Sequence, residues 1–207
     1  ELLAVKSGGA VFKAVRGEYG CGKTFFARWL ADRARKLGFA TSEVQVSETE
    51  TPLHRLETVY RRLVEHLGTA DTASGAFRGV IDGWFYALEQ DVLADASVDP
   101  DDAAELLVRT DALMEARLST ISKTAPAFSA VLRTYRRALA AGDGMLADGL
   151  ISWLSGQPNV AASVKSAAGI KGDLDHFGAT NFLVGLLTIL RDSGFPGLVT
   201  VLDEAET

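Results

Sequence analysis

Gly17-Glu18-Tyr19-Gly20-Cys21-Gly22-Lys23-Thr24 satisfies the pattern G-x-x-x-x-G-K-[ST] at every fixed position. Ahead of it, Gly9-Ala10-Val11-Phe12-Lys13-Ala14-Val15-Arg16 is short, β-prone and partly alternating, which predicts a buried strand. Behind it, residues 25–37 have helical spacing, with Phe26, Trp29, Leu30, Ala34 and Leu37 along one side. Strand, glycine loop and helix form the context in which this pattern cradles phosphate groups.

The chemistry explains the spacing. Gly17, Gly20 and Gly22 let the loop wrap with its main-chain N–H groups pointing inward, a concavity suited to an anion. Glu18, Tyr19 and Cys21 contribute mainly backbone, and the amides continue through Phe25 into the positive end of the helix. Lys23 is a flexible point charge able to reach the outer phosphates of a nucleoside triphosphate. Thr24 offers a hydroxyl to Mg²⁺. A glycine turn capping an ordinary helix would account for the glycines but not for Lys23-Thr24 at this offset.

The chain of 207 residues is long enough for one large domain or a domain with an insertion. Apolar residues at 47% and charged residues at 23% are ordinary globular usage. A net charge of −6 supplies no general attraction to nucleic acid or anionic membrane, so neither contact is indicated. The single cysteine, Cys21, excludes an internal disulfide and fits a reducing compartment, pointing to the cytoplasm. The longest apolar run, residues 182–190, is too short to span a bilayer. The chain opens on Glu1 and stops at Thr207 directly after a strand-like run, which suggests a piece of a longer protein.

Beyond the first helix, Gly38 is a natural stop and residues 39–47 read as a second strand, clearest at Val44 and Val46. Thr51-Pro52 predicts a helix start, and Gly68 its close. From residue 74 the chain becomes almost wholly helical. One stripe runs from Phe77 to Val92, a second helix begins at Asp99-Pro100 and carries Leu106, Leu107, Leu113 and Met114, a third opens at Pro126, and a fourth covers Met145 to Leu154. Residues 157–172 are poor in large apolar side chains and read as a mobile connection. Helix returns from Leu174 through Phe177 and Phe182 to Leu190.

Leu198-Val199-Thr200-Val201-Leu202 then reads as a buried parallel strand delivering Asp203-Glu204 at its C-terminal end, the form of a Walker B element. On this reading Thr24 and Asp203 hold the metal, and Glu204, with Lys23, serves catalysis by polarising the attacking water. The expected fold is α/β: a P-loop NTPase core with a parallel sheet and a large all-helical insertion. Residues 1–68 form the first part of the core, 69–172 the insertion, and 173–207 the return to the core.

Two longer stretches carry a resemblance. Residues 16–26, and Val46-Ser47-Glu48-Thr49-Glu50-Thr51-Pro52-Leu53, with Leu202-Asp203-Glu204-Ala205-Glu206-Thr207 at the end, resemble the ATP-binding P-loop proteins of bacterial BREX phage-defence clusters, which are related to AAA+-like ATPases. Cys21 stands where that family has a small residue such as alanine. The resemblance implies ATP and Mg²⁺ as ligands, an ATPase acting in phage defence, and other subunits of a defence complex as partners. It also implies further strands, sensor and arginine-finger residues beyond Thr207. Roles for Glu48 and Glu50 stay open beside a plain polar strand end. A nucleotide-gated scaffold or switch that binds ATP or GTP with negligible hydrolysis is the alternative; a kinase has no recognisable base motif here, and the loop lacks the G-x-G-x-x-G order of dinucleotide enzymes.

Overall fold

The computed structural model describes residues 1–94, 98–99 and 101–204. The elements in chain order are α1 (Leu2–Lys6), α2 (Lys23–Lys36), β1 (Ala40–Gln45), α3 (Leu56–Glu65), α4 (Phe77–Leu93), α5 (Ala103–Arg117), α6 (Ser119–Thr124), α7 (Pro126–Ala140), α8 (Gly144–Leu154), α9 (Ala162–Ala167), α10 (His176–Asp192) and β2 (Leu198–Asp203). The class is α/β and mostly helical. Among the described residues the sheet consists of β1 and β2, which run parallel in a register from Ala40 opposite Leu198 to Gln45 opposite Asp203.

Residues 9–16 do not form the expected strand. They follow a short first helix and are exposed, Phe12 at 87% and Val15 at 56%. β-propensity describes fit to a pleated, half-buried surface, and neither β1 nor β2 pairs with this run. α2 buries Ala27, Ala31 and Ala34; of the side marked out by helical spacing, Ala34 is buried and Leu30 half-buried, while Phe26, Trp29 and Leu37 are exposed. Phe26 and Trp29 stack on one another with ring centroids 5.9 Å apart and remain about half exposed. Small residues let α2 lie close on the sheet, and the bulky stripe faces outward.

Gly38 ends α2 as expected. At φ +85 it takes the left-handed conformation that lets its own N–H reach Arg35 O and the Phe39 N–H reach Ala34 O. β1 is buried, including Thr41 and Ser42, whose polar groups are satisfied: Ser42 Oγ donates to Leu63 O at 2.8 Å and Arg35 Nη1 donates to Thr41 Oγ1 at 3.1 Å. Gly68 is not the stop of α3. It exchanges both main-chain hydrogen bonds with Thr41, and a Cβ there would lie 2.3 Å from Ala73 O. β2 is less covered than predicted, with Thr200 and Leu202 exposed.

The helix start at Thr51-Pro52 moves to Leu56, because Thr51 is used in a bridge with Ser47. For α5 the cap is Asp102, whose side chain accepts from the Ala104 and Glu105 N–H groups; the expected start at Pro100 lies outside the described residues. Asp143 and Asp175 cap α8 and α10 in the same way, and Pro126 opens α7. The helices enclose one core that includes Trp84, Phe128, Leu132, Tyr135, Leu150 and Leu186 and continues to Ala40 and Val44 of β1. Phe182 is its aromatic centre, edge-on to Tyr60, Phe128 and Trp153 at 5.9, 5.1 and 5.5 Å. Leu107, Leu139, Met145 and Phe177 belong to the predicted stripes yet lie exposed at their margins.

The connection before α10 is fastened rather than loose. It contains α9, buries Ala168 and Ile170, and is tied by Trp153 Nε1 donating to Gly172 O at 3.1 Å and by the Lys165–Asp173 ion pair at 3.1 Å.

Candidate functional site

The glycine loop joins the exposed run 9–16 to α2. Gly20 and Gly22 adopt φ +80 and +91, which glycine reaches without a Cβ penalty. Gly22 caps α2, and the first helical bond runs from Phe26 N–H to Gly22 O. The amides of Lys23, Thr24 and Phe25 therefore have no intrahelical acceptor and form the positive end of the helix. Gly17 is needed for space: a Cβ there would meet Cys21 Sγ at 2.4 Å. Lys23 folds back over the loop, its Nζ donating to Gly17 O at 2.6 Å and Glu18 O at 3.2 Å. Cys21 N–H closes the turn on Glu18 O at 3.3 Å, and Tyr19 is fully exposed at its tip.

β2 brings the Asp203 carboxylate to the start of α2. Thr24 Oγ1 donates to Asp203 Oδ2 at 3.4 Å, while Asp203 Oδ1 accepts from the Glu204 N–H at 3.0 Å. Glu204 itself has φ +57, a conformation costing on the order of 1 kcal/mol or more outside glycine. That turn carries its carboxylate toward β1, where Oε2 accepts from Gln45 Nε2 at 2.8 Å. Adjacent carboxylates are thus held by different elements, Asp203 by α2 and Glu204 by β1. The strand ends are locked together beneath them by Val46 N–H donating to Asp203 O at 2.9 Å.

A hydroxyl and a carboxylate side by side on the surface are hard oxygen donors, the set that suits a partly hydrated Mg²⁺. Among the described residues no group of three or more His, Cys, Asp or Glu converges as a metal cage. Such a pair therefore fits a metal completed by waters and a phosphate better than one held by protein alone.

The Ser47–Leu53 stretch flanks the far side of Gln45. Ser47 Oγ accepts from the Glu50 and Thr51 N–H groups at 3.0 and 3.1 Å, and Glu50 lies 4.0 Å from Arg62. Glu48 and Glu50 are exposed, and Glu50 lines a polar cleft with Gln45, Ser47, Arg62 and His66. Gln45 was not among the residues singled out from the sequence. Its importance comes from register, since it stands opposite Asp203, and nothing local in residues 39–47 reports that partner.

Over residues 1–207 the chain matches the family described as BREX system ATP-binding protein BrxC/D. The chain belongs to that family. The BrxC/D description names ATP as the ligand of the family and BREX as its system, in agreement with the resemblance carried by residues 16–26 and 46–53. No curated protein and no solved structure matches the chain. No helix among the described residues is long and apolar enough to cross a membrane.

Proposed function

We propose that this BrxC/D chain is an ATP-binding and ATP-hydrolysing P-loop module that couples nucleotide state to partner subunits in bacterial phage defence, in the cytoplasm. The observation that carries the reading is the meeting of Thr24 with Asp203 at 3.4 Å, directly behind a loop that satisfies every fixed position of the phosphate pattern. On this reading the amides of residues 17–25 bind the phosphates, and Lys23 moves from its loop carbonyls onto them. Thr24 and Asp203 would hold Mg²⁺, which when bound neutralises charge on the phosphate oxygens. Glu204 positions and deprotonates the attacking water.

On a proposed three-part division of the chain, the contacts of α10 support coupling. Residues 1–68 and 173–207 make the nucleotide core of the proposal, and 69–172 the insertion. α10 leads into β2, and its last residue, Asp192, is gripped by the bundle: Trp84 Nε1 of α4 donates to it at 2.6 Å, and Arg117 of α5 pairs with it. A displacement of Asp203 would therefore pull, through β2 and α10, on the helices.

A second reading is favoured by the Gln45–Glu204 bond: a switch that binds ATP and hydrolyses it negligibly while Glu204 stays tied. Phosphate-release assays on the full-length protein separate the two. The hydrolytic reading expects turnover that Asp203→Ala and Glu204→Gln both abolish, the second without loss of ATP binding; ATP binding without turnover in the wild type selects the switch, and equal turnover in Glu204→Gln removes Glu204 from the chemistry.

A further inference from the structure

We infer that α5 is a strap held on the helical bundle chiefly by charge, and that the Arg117–Asp192 pair is the catch joining it to the segment that carries Asp203. The catch rests on the proposed nucleotide reading and deepens it.

Helices α5 and α7 are both 15 residues long, yet α7 buries seven side chains and α5 only Thr110 and Met114. Thr110 uses its hydroxyl within its own helix, donating to Leu106 O at 2.7 Å, which leaves Met114 as the buried apolar anchor. Leu107 and Val108 are exposed. The seam with α4 is incompletely filled: a groove of about 490 Å³ lies there, lined by Asp91, Val92, Arg109, Ala112 and Leu113. Packing of an apolar face is what seats most helices, and on α5 it is thin.

Charge takes its place. From α7, Arg136 pairs with Asp111, and Arg133 Nη1 donates to both oxygens of Glu115 at 3.0 and 3.1 Å. At the end of α5, Arg117 donates to Asp91 of α4 at 3.1 Å and pairs with Asp192 of α10. Arg117, Asp91, Glu115 and Asp111 all stay accessible to water, so salt weakens the pairs they make. The buried Arg136 is not stranded when Asp111 leaves, because Glu89 of α4 lies 3.4 Å away as a second partner.

Asp192 links this strap to the candidate site. As the last residue of α10 it sets a carboxylate at the negative end of a helix, which is unfavourable without a compensating cation or donor. Arg117 and Trp84 Nε1 supply both. The chain then turns and enters β2, which ends at Asp203. A shift of β2 acts on Asp192 first, and a catch that opens there leaves α5 with fewer holds.

Hydrogen–deuterium exchange read by mass spectrometry on the full chain tests the inference. Raising salt from about 0.01 M to about 1 M shortens the Debye length from about 30 Å to about 3 Å. Exchange in α5 peptides should then quicken roughly three- to tenfold, while α7 and α8 change by less than about twofold. Arg117→Gln should quicken α5 at low salt, and Arg117→Lys, which keeps the charge, should not. An α5 that ignores salt or Arg117→Gln, or salt that quickens all helices alike, overturns the strap.

A non-hydrolysable ATP analogue with Mg²⁺ should quicken α5 at low salt by about fivefold or more, the usual scale of coupling between sites. Asp192→Asn, which keeps an acceptor for Trp84 but loses the charge, should abolish that response. No response in a protein that calorimetry shows to bind the analogue overturns the catch, as does a response that survives Asp192→Asn. Absence of binding overturns the nucleotide reading and the catch together, and the salt arm then judges the strap on its own.

Discussion

Thr24 Oγ1 lies 3.4 Å from Asp203 Oδ2, although 179 positions separate them in the chain. Two local signals, a glycine loop opening a helix and a strand ending in acid, meet only because β2 returns beside β1 after a long helical excursion. The side chains of α2 and β2 thereby supply a hydroxyl and a carboxylate to one point, and the amides of the loop border it.

Lys23 is the first variant to make. Its ammonium now donates to two loop carbonyls, and in the proposal it transfers to phosphate oxygens. Hydrogen bonds to charged groups are worth about 1.5–3 kcal/mol each, so Lys23→Ala should weaken ATP binding roughly ten- to a hundredfold in calorimetry. Unchanged affinity would exclude the lysine from phosphate contact.

Gly17 and Cys21 should be coupled. A Cβ on Gly17 would sit 2.4 Å from Cys21 Sγ, so Gly17→Ala must displace the sulfur and with it the loop. Gly17→Ala is expected to weaken ATP binding about tenfold, Cys21→Ala alone hardly at all, and the double variant to recover by about 1 kcal/mol. Strict additivity in this cycle would show that the loop tolerates the side chain by another route.

Two helical glycines should respond in opposite directions. In α10, a Cβ on Gly185 would meet the fully buried Phe128 ring at 2.9 Å, whereas Gly83 of α4 faces open space. Gly→Ala in a helix interior gains about 1 kcal/mol of propensity, but overpacking a core costs about 1–3 kcal/mol. Gly83→Ala should raise Tm by about 2–4 °C and Gly185→Ala should lower it, as read by thermal circular dichroism. A rise in both would mean the core at Phe128 yields easily.

Tyr60 and Tyr135 make stability sensitive to alkali. Burial pushes both phenols well above the ordinary value of 10.0, and for Tyr135 the hydrogen bond it donates to Asp82 adds to the effect. The folded state thus favours the protonated phenol. Their contribution is complete below the unfolded value, about pH 10, and is lost as the pH rises from there through the folded values. Unfolding midpoints in urea should fall steeply above about pH 10. Tyr60→Phe, which also deletes the 3.0 Å bond to Leu154 O, should cost about 1 kcal/mol at neutral pH and flatten the alkaline fall. An unaltered alkaline slope in that variant would leave Tyr60 without a part in it.

How far the sequence could be read depended on whether the deciding neighbour was local. Gly38, Pro126, the α2 start at Lys23 and the β2 run were legible because caps, prolines and short apolar runs act on their own segment. The run 9–16 was misjudged because a strand exists only against another strand, and propensity carries no knowledge of the ladder. The spacing of α2 groups Phe26, Trp29, Leu30, Ala34 and Leu37 on one side, of which the structure buries Ala34 and leaves the aromatic rings about half exposed. Period 3.6 identifies a face, but Ala27, Ala31 and Ala34 show that closeness to the sheet, rather than bulk, chose which face went in. Gln45 left no trace in the sequence because its meaning is its register with Asp203. The mostly helical α/β class was within reach of the sequence, since every long helix carried its stripe within its own residues.

The most direct measurement is a crystal of the chain grown with a non-hydrolysable ATP analogue and Mn²⁺ in place of Mg²⁺. The account predicts an anomalous difference peak between Thr24 Oγ1 and the Asp203 carboxylate, with the phosphates lying along residues 17–24. Nucleotide density elsewhere on the molecule, or a triphosphate in the loop whose metal avoids both Thr24 and Asp203, would contradict it.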